Sequence, residues 1–106
     1  MSLVKYRRLP TFDRDYKELS EAERTLFREA LAVFIESCKK FEAKPAGHLW
    51  PKSLRFEKLA ATARIHAITW SFSGPDGRAT FHFESHDGEM FVVWRRVGRH
   101  DIYREP

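Results

Sequence analysis

The apolar residues of this chain change their period part-way along, and that change limits the folds open to it. From Glu21 to about Phe41, the residues Phe27, Ala30, Leu31, Phe34, Cys38 and Phe41 recur in steps of three and four, which on an α-helix forms one buried stripe. From Ser53 onward the pattern becomes two-fold or continuously apolar, in runs rich in β-branched and aromatic residues, as strands are. The switch falls in "EAKPAGHLWPKS", where two prolines and a glycine end the helix and impose a loop. The helices and most of the strands are therefore segregated along the chain, which is the mark of an α+β fold.

Local signals fill in the order. Leu3 to Leu9 alternate partly and suit a first strand, which Pro10 ends. Thr11 is placed to cap a short amphipathic helix carrying Phe12, Tyr16 and Leu19. In "SEAER", Ser20 and Glu23 have capping-box spacing, so a second helix starts there. "SLRFEKLAA" alternates, "RIHAITWSF" reads as a strand, "SGPDGR" turns the chain, and "RATFHFES" alternates again. "HDGE" makes a further hairpin turn, and "MFVVWRRV", the most continuously apolar run, suits a central strand that Gly98 ends. These readings predict an antiparallel sheet with the N-terminal strand and both helices packed on one face.

With 106 residues, the chain suits a single domain spanning 1–106 around one core. Its 19 basic and 15 acidic side chains leave a formal charge of +4, a bias toward phosphates or acidic partners. The single cysteine, Cys38, lies on the helix's apolar side and has no partner for a disulfide, which fits a reducing, cytoplasmic setting. No apolar run has the roughly 20 residues that a membrane-spanning helix needs, and the opening "MSLVKYRRLP" lacks a signal peptide's apolar stretch.

All five histidines follow the first helical half. Hairpin pairing would gather Arg64 and His66, Arg78 and His82, and the run from Arg95 to His100 on neighbouring strands. A sheet face free of helices would then present guanidinium groups and imidazoles, with Tyr103 as a stacking surface or as an anchor for the terminus. Arginine's planar fork suits phosphate. His100, titrating near neutrality, can take or give a proton in metal-free RNA cleavage, with Arg78 or Arg99 holding the developing charge. The plainer readings are that strand arginines pair with carboxylates, that His66 sits at the core's edge, and that Trp70, Trp94 and Phe81 are core. His82, Glu84 and His86 share a strand face, but that spacing spreads them too widely to ligate one metal ion unaided. No cofactor motif is present.

Most of the chain resembles bacterial type II toxins of the RelE/ParE superfamily. The likeness runs through "FDRDYKELSEAERTLFREAL", "LRFEKLA" and "RIHAITWSFSGPDGRATFHF", and is most specific in "VVWRRVGRHDIY". The resemblance implies a ribosome-dependent, metal-independent mRNA endoribonuclease that inhibits translation and is silenced by an antitoxin with an acidic amphipathic segment. It implies catalytic roles for His100, two residues after Gly98 as in the branch nearest YafQ, for the phosphate-steadying Arg78, and for the aromatic Tyr103. It places Arg64 and His66 toward the substrate, with Arg95, Arg96 and Arg99 as further phosphate contacts. The lysine pair of RelE has no lysine counterpart here. The ParE branch, which inhibits DNA gyrase without RNA chemistry, shares the fold, and a non-toxic binding module is a third reading.

Overall fold

A computed structural model describes residues 5–59, 64–71 and 76–106, apart from the side chain of His100. The order is β1 (Lys5–Arg8), α1 (Pro10–Glu18), α2 (Glu21–Ala43), a 3₁₀ turn (Lys52–Leu54), β2 (Glu57–Lys58), β3 (His66–Trp70), β4 (Gly77–His86), β5 (Glu89–Gly98) and a closing 3₁₀ turn (His100–Arg104). The strands form one sheet in the order β1-β5-β4-β3-β2, with both helices on one side. The architecture is α+β, as the change of period predicts.

The sheet is mixed rather than purely antiparallel. β1 lies parallel to β5, with Tyr6 opposite Val92 and Arg8 opposite Trp94, while the other pairings are antiparallel. β5 thereby becomes an interior strand over its first half, consistent with its continuous apolar run. The hairpin joining β4 to β5 turns at Asp87 and Gly88, whose φ values of 53° and 79° are those of a tight turn matched to strand twist.

Three local expectations change. Pro10 does not merely end the strand but occupies the first turn of α1, where its missing N–H costs nothing. Thr11 does not cap that helix; its hydroxyl donates to the Arg95 carbonyl at 2.8 Å. "SLRFEKLAA" is mostly not strand: Leu54 is buried in the 3₁₀ turn, Arg55 takes a left-handed φ of 43°, and only Glu57 and Lys58 pair. Trp50 stacks on Phe56 at 4.2 Å, and this packing holds the irregular segment where alternation alone suggested a ladder. The capping box at Ser20 and Glu23 forms in both directions.

The core lies between the sheet and the helices. Phe34 of α2, 1% exposed, meets Phe81 at 4.9 Å and Trp94 at 5.4 Å, and Phe27 meets Trp70 at 5.3 Å. Removing a ring such as Phe34 costs about 3–5 kcal/mol, so this layer sets the sheet's position. Cys38 is fully buried in the same layer, and burial pushes its thiol up to about 12.

β5 carries a bulge. Thr80 pairs with Arg96 and Phe81 with Trp94, so Arg95 is the extra residue. Just beyond, β1 has ended and the edge of β5 is bare. Helix α1 covers it: Thr11 donates to the Arg95 carbonyl, and Asp15 accepts the Val97 N–H at 3.2 Å. One helical turn, Thr11 to Asp15, thus spans two strand residues, since four helical rises of 1.5 Å come close to two strand rises of about 3.3 Å.

Candidate functional site

The face of the sheet turned away from the helices carries alternate residues of β4, namely Arg78, Thr80, His82, Glu84 and His86, beside Thr69 of β3 and Arg95 of β5. Position 78 faces this way because Ala79 and Phe81 are fully buried in the core and strand side chains alternate. The closing turn folds onto one end of the face. Gly98 makes that possible, since a Cβ there would lie 2.9 Å from the buried Ile102 Cγ2.

The turn brings Tyr103 to Arg78. The guanidinium stands 5.1 Å from the centre of the tyrosine ring, and Nη1 donates to Tyr103 Oη at 3.3 Å and to Thr69 Oγ1 at 3.2 Å. Tyr103 O–H in turn donates to Glu57 Oε1 at 3.1 Å. Arg78 Nε is buried with no acceptor among the described residues, and a buried donor left unmet costs about 1–3 kcal/mol. No carboxylate among the described residues lies in ion-pair range of Arg78.

Arg95 lies on the same face. Its Nε donates to the Pro106 backbone oxygen at 3.0 Å, shared with the Thr80 hydroxyl at 3.0 Å, and Nη1 donates to His82 Nδ1 at 3.1 Å. Since a guanidinium can only donate, His82 Nδ1 must accept, so in the neutral ring the proton lies on Nε2 and is given to Glu84 Oε2 at 2.7 Å. His86 Nε2 bonds the other oxygen at 2.8 Å. Glu84 is thereby drawn down to about 2, chiefly by the hydrogen bond from His82, then by that from His86. This cluster lines a hollow of about 780 Å³ together with Arg64 and Arg95.

The expected site residues therefore separate into groups. Arg78 and Tyr103 come together, Arg95 lies on the same face, and Arg64 lines the hollow. His66 is turned the other way: it packs at 5.3–5.7 Å against Phe56, Phe81 and Phe83 on the helix side, and burial lowers its basicity. A two-residue spacing suggested that Arg64 and His66 share a face, but β3 begins only at His66, so strand alternation does not reach back to Arg64.

Arg96 and Arg99, expected as phosphate contacts, are each paired with a carboxylate of the helices. Arg96 is engaged by the buried Asp15, at 2.6 and 3.2 Å, and Arg99 by Glu23 at 2.5 Å. Glu23 is held below the usual carboxylate range first by the Ser20 backbone N–H. The side chain of His100 lies outside the described residues; its backbone opens the closing turn.

Thr69 and Glu57 are site residues that the sequence reading did not select, while His82 was placed in the patch without a role and Glu84 was weighed only as a metal ligand. For His82 and Glu84 the signal was present, because the "HDGE" hairpin puts 82, 84 and 86 on the face of 78. Nothing local marked Glu57 or Thr69. No helix among the described residues is long and apolar enough to cross a membrane. Comparison with family models, with curated proteins and with solved structures finds no match for this chain.

Proposed function

We propose that this protein is the toxin of a type II toxin–antitoxin pair, of RelE-like kind, that cleaves mRNA at the ribosome without a metal ion. One observation carries the reading: Arg78 is held on the helix-free face by Thr69 and Tyr103 rather than neutralised by a carboxylate, with one donor unmet. An arginine so held keeps its charge for a ligand, and phosphate oxygens are the acceptors its fork matches.

In the reaction, the ribose 2′-oxygen attacks the adjacent phosphorus while the bond from phosphorus to the 5′-oxygen breaks. A proton leaves the 2′-hydroxyl and another reaches the leaving oxygen. Arg78 stabilises the charge that gathers on the phosphoryl oxygens, and Tyr103, fixed by its bond to Glu57, orients the guanidinium and offers a ring to a base. His100, at the start of the closing turn, carries a proton. An acidic amphipathic antitoxin segment, folding as it binds the basic face, is the matching partner in the cytoplasm.

Induced expression of the wild type should arrest growth and cut ribosome-bound mRNA. Arg78→Ala should lose both by about a hundredfold or more, the scale of losing one transition-state donor. Equal cleavage by wild type and Arg78→Ala would remove the proposed role.

A protein-binding, ParE-like reading is favoured by a different feature. Tyr6, 60% exposed, borders an apolar hollow of about 130 Å³ between β1 and α2, with Leu31, Ile35 and Val92. Growth arrest with intact mRNA and inhibited supercoiling would decide for it.

A further inference from the structure

The hollow beyond Arg95 has a chemistry that phosphate binding does not explain. Glu84 stands in its wall with both oxygens oriented, Oε2 by His82 and Oε1 by His86, and its side chain remains about one-third exposed. Arg7 also pairs with Oε1, at a long 3.5 Å and with its own side chain largely exposed. A carboxylate has about four lone-pair sites, so each oxygen retains capacity toward the hollow. An ionised carboxylate repels a phosphate at that point. What it takes from RNA is an N–H on the edge of a base.

We infer that this hollow is a nucleobase subsite selective for guanine in single-stranded RNA, with Glu84 as the acceptor and Arg95 and Arg64 as donors. The match follows from the bases themselves. Guanine presents two adjacent donors, N1–H and N2–H, which fit the two oxygens of one carboxylate, and beside them O6, an acceptor for a guanidinium. Adenine and cytosine each set a ring-nitrogen lone pair next to their amino group, facing the carboxylate. Uracil flanks its single N–H with two carbonyls. Each of these opposes like to like at Glu84.

The placement fits an RNA chain continuing from the proposed cleavage site. Arg78, Thr80, His82 and Glu84 alternate along one strand face, so at about 3.3 Å per residue His82 lies about 13 Å and Glu84 about 20 Å along the strand from Arg78. The imidazoles of His82 and His86 supply flat surfaces beside the base. The fixed tautomer of His82 matters here: with Arg95 on Nδ1, the ring presents its N–H to Glu84 and holds the carboxylate's plane.

The inference deepens the nuclease reading and rests on it for the RNA. Its test is a titration of the isotope-labelled full chain with GMP, AMP, CMP and UMP, following the amide resonances of residues 82–86. GMP should shift these with an affinity about tenfold above the other three, the scale of one bidentate base contact. Glu84→Gln, an exposed substitution whose melting temperature checks the fold, should abolish the preference, because the amide presents one donor where guanine needs two acceptors. Equal affinities, shifts confined elsewhere, or an unchanged preference in Glu84→Gln would overturn the subsite. If mRNA is cleaved without a guanine preference, the subsite falls alone; if GMP is preferred but mRNA stays intact, the nuclease reading falls alone.

Discussion

Arg78 and Arg95 on one side, and Arg96 and Arg99 on the other, are the same residue type within or just after one hairpin, yet they meet opposite surroundings. Arg96 and Arg99 reach the helix-side edge, where Asp15 and Glu23 neutralise them. Arg78 and Arg95 reach the helix-free face, where no Asp or Glu side chain among the described residues pairs with them and their partners are a hydroxyl, a phenol, an imidazole and the Pro106 backbone oxygen. The first pair serves the fold, since its charges are spent on joining the helices to β5. On the proposed reading, the second pair keeps its charge for a ligand. The bulge at Arg95 separates the two behaviours, because it puts consecutive arginines on different errands.

The contrast can be broken most forcefully at Asp15. Asp15→Ala strips Arg96 of its counter-charge and the Val97 N–H of its acceptor, and should cost about 3 kcal/mol, the lower end for breaking a buried pair. A urea melt measures it. Little loss would show that the helix-side arginine is not structural after all. A smaller effect is expected one contact further out, where Ser20→Ala removes half of the capping box that also positions Glu23 for Arg99. It should cost about 1 kcal/mol, read in the same melts, while leaving the Arg78–Tyr103 contact and any mRNA cleavage intact.

The smallest effect is in pH. His66 has its basicity lowered, chiefly by burial, from an ordinary 6.5. The unfolded chain therefore takes up a proton before the folded one does. Stability contributed by the neutral, buried ring is complete above 6.5 and is lost as pH falls below it. Urea midpoints between pH 7 and pH 5 should decline more steeply for the wild type than for His66→Phe. Equal slopes would put His66 back among the solvent-facing groups.

Much of the fold was legible because its determinants are local. The stripe from Phe27 to Phe41, the Ser20–Glu23 box and the "HDGE" turn each act within a few residues, and each forms as read. The parallel seat of β1 was not legible, since alternation in Lys5–Arg8 says nothing about which strand lies beside it or in which direction. In the site, the meeting of Arg78 and Tyr103 was legible through two local signals, the arginine that opens the strand after the central hairpin and the tyrosine of the closing motif. The fates of Arg96 and Arg99 were not, because their partners lie 81 and 76 residues away. Nor could spacing orient His66, whose face depends on where β3 starts.

The central claim is that charge left unneutralised on the helix-free face does the chemistry, whereas the neighbouring neutralised charge only holds the fold. Its most direct test is to compare ribosome-bound mRNA cleavage by Arg78→Ala and by Arg96→Ala, with a melt on each protein. The account predicts that Arg78→Ala keeps its fold and loses cleavage, while Arg96→Ala loses stability and, at temperatures where it remains folded, still cleaves. Cleavage that survives in Arg78→Ala, or that vanishes in folded Arg96→Ala, contradicts it.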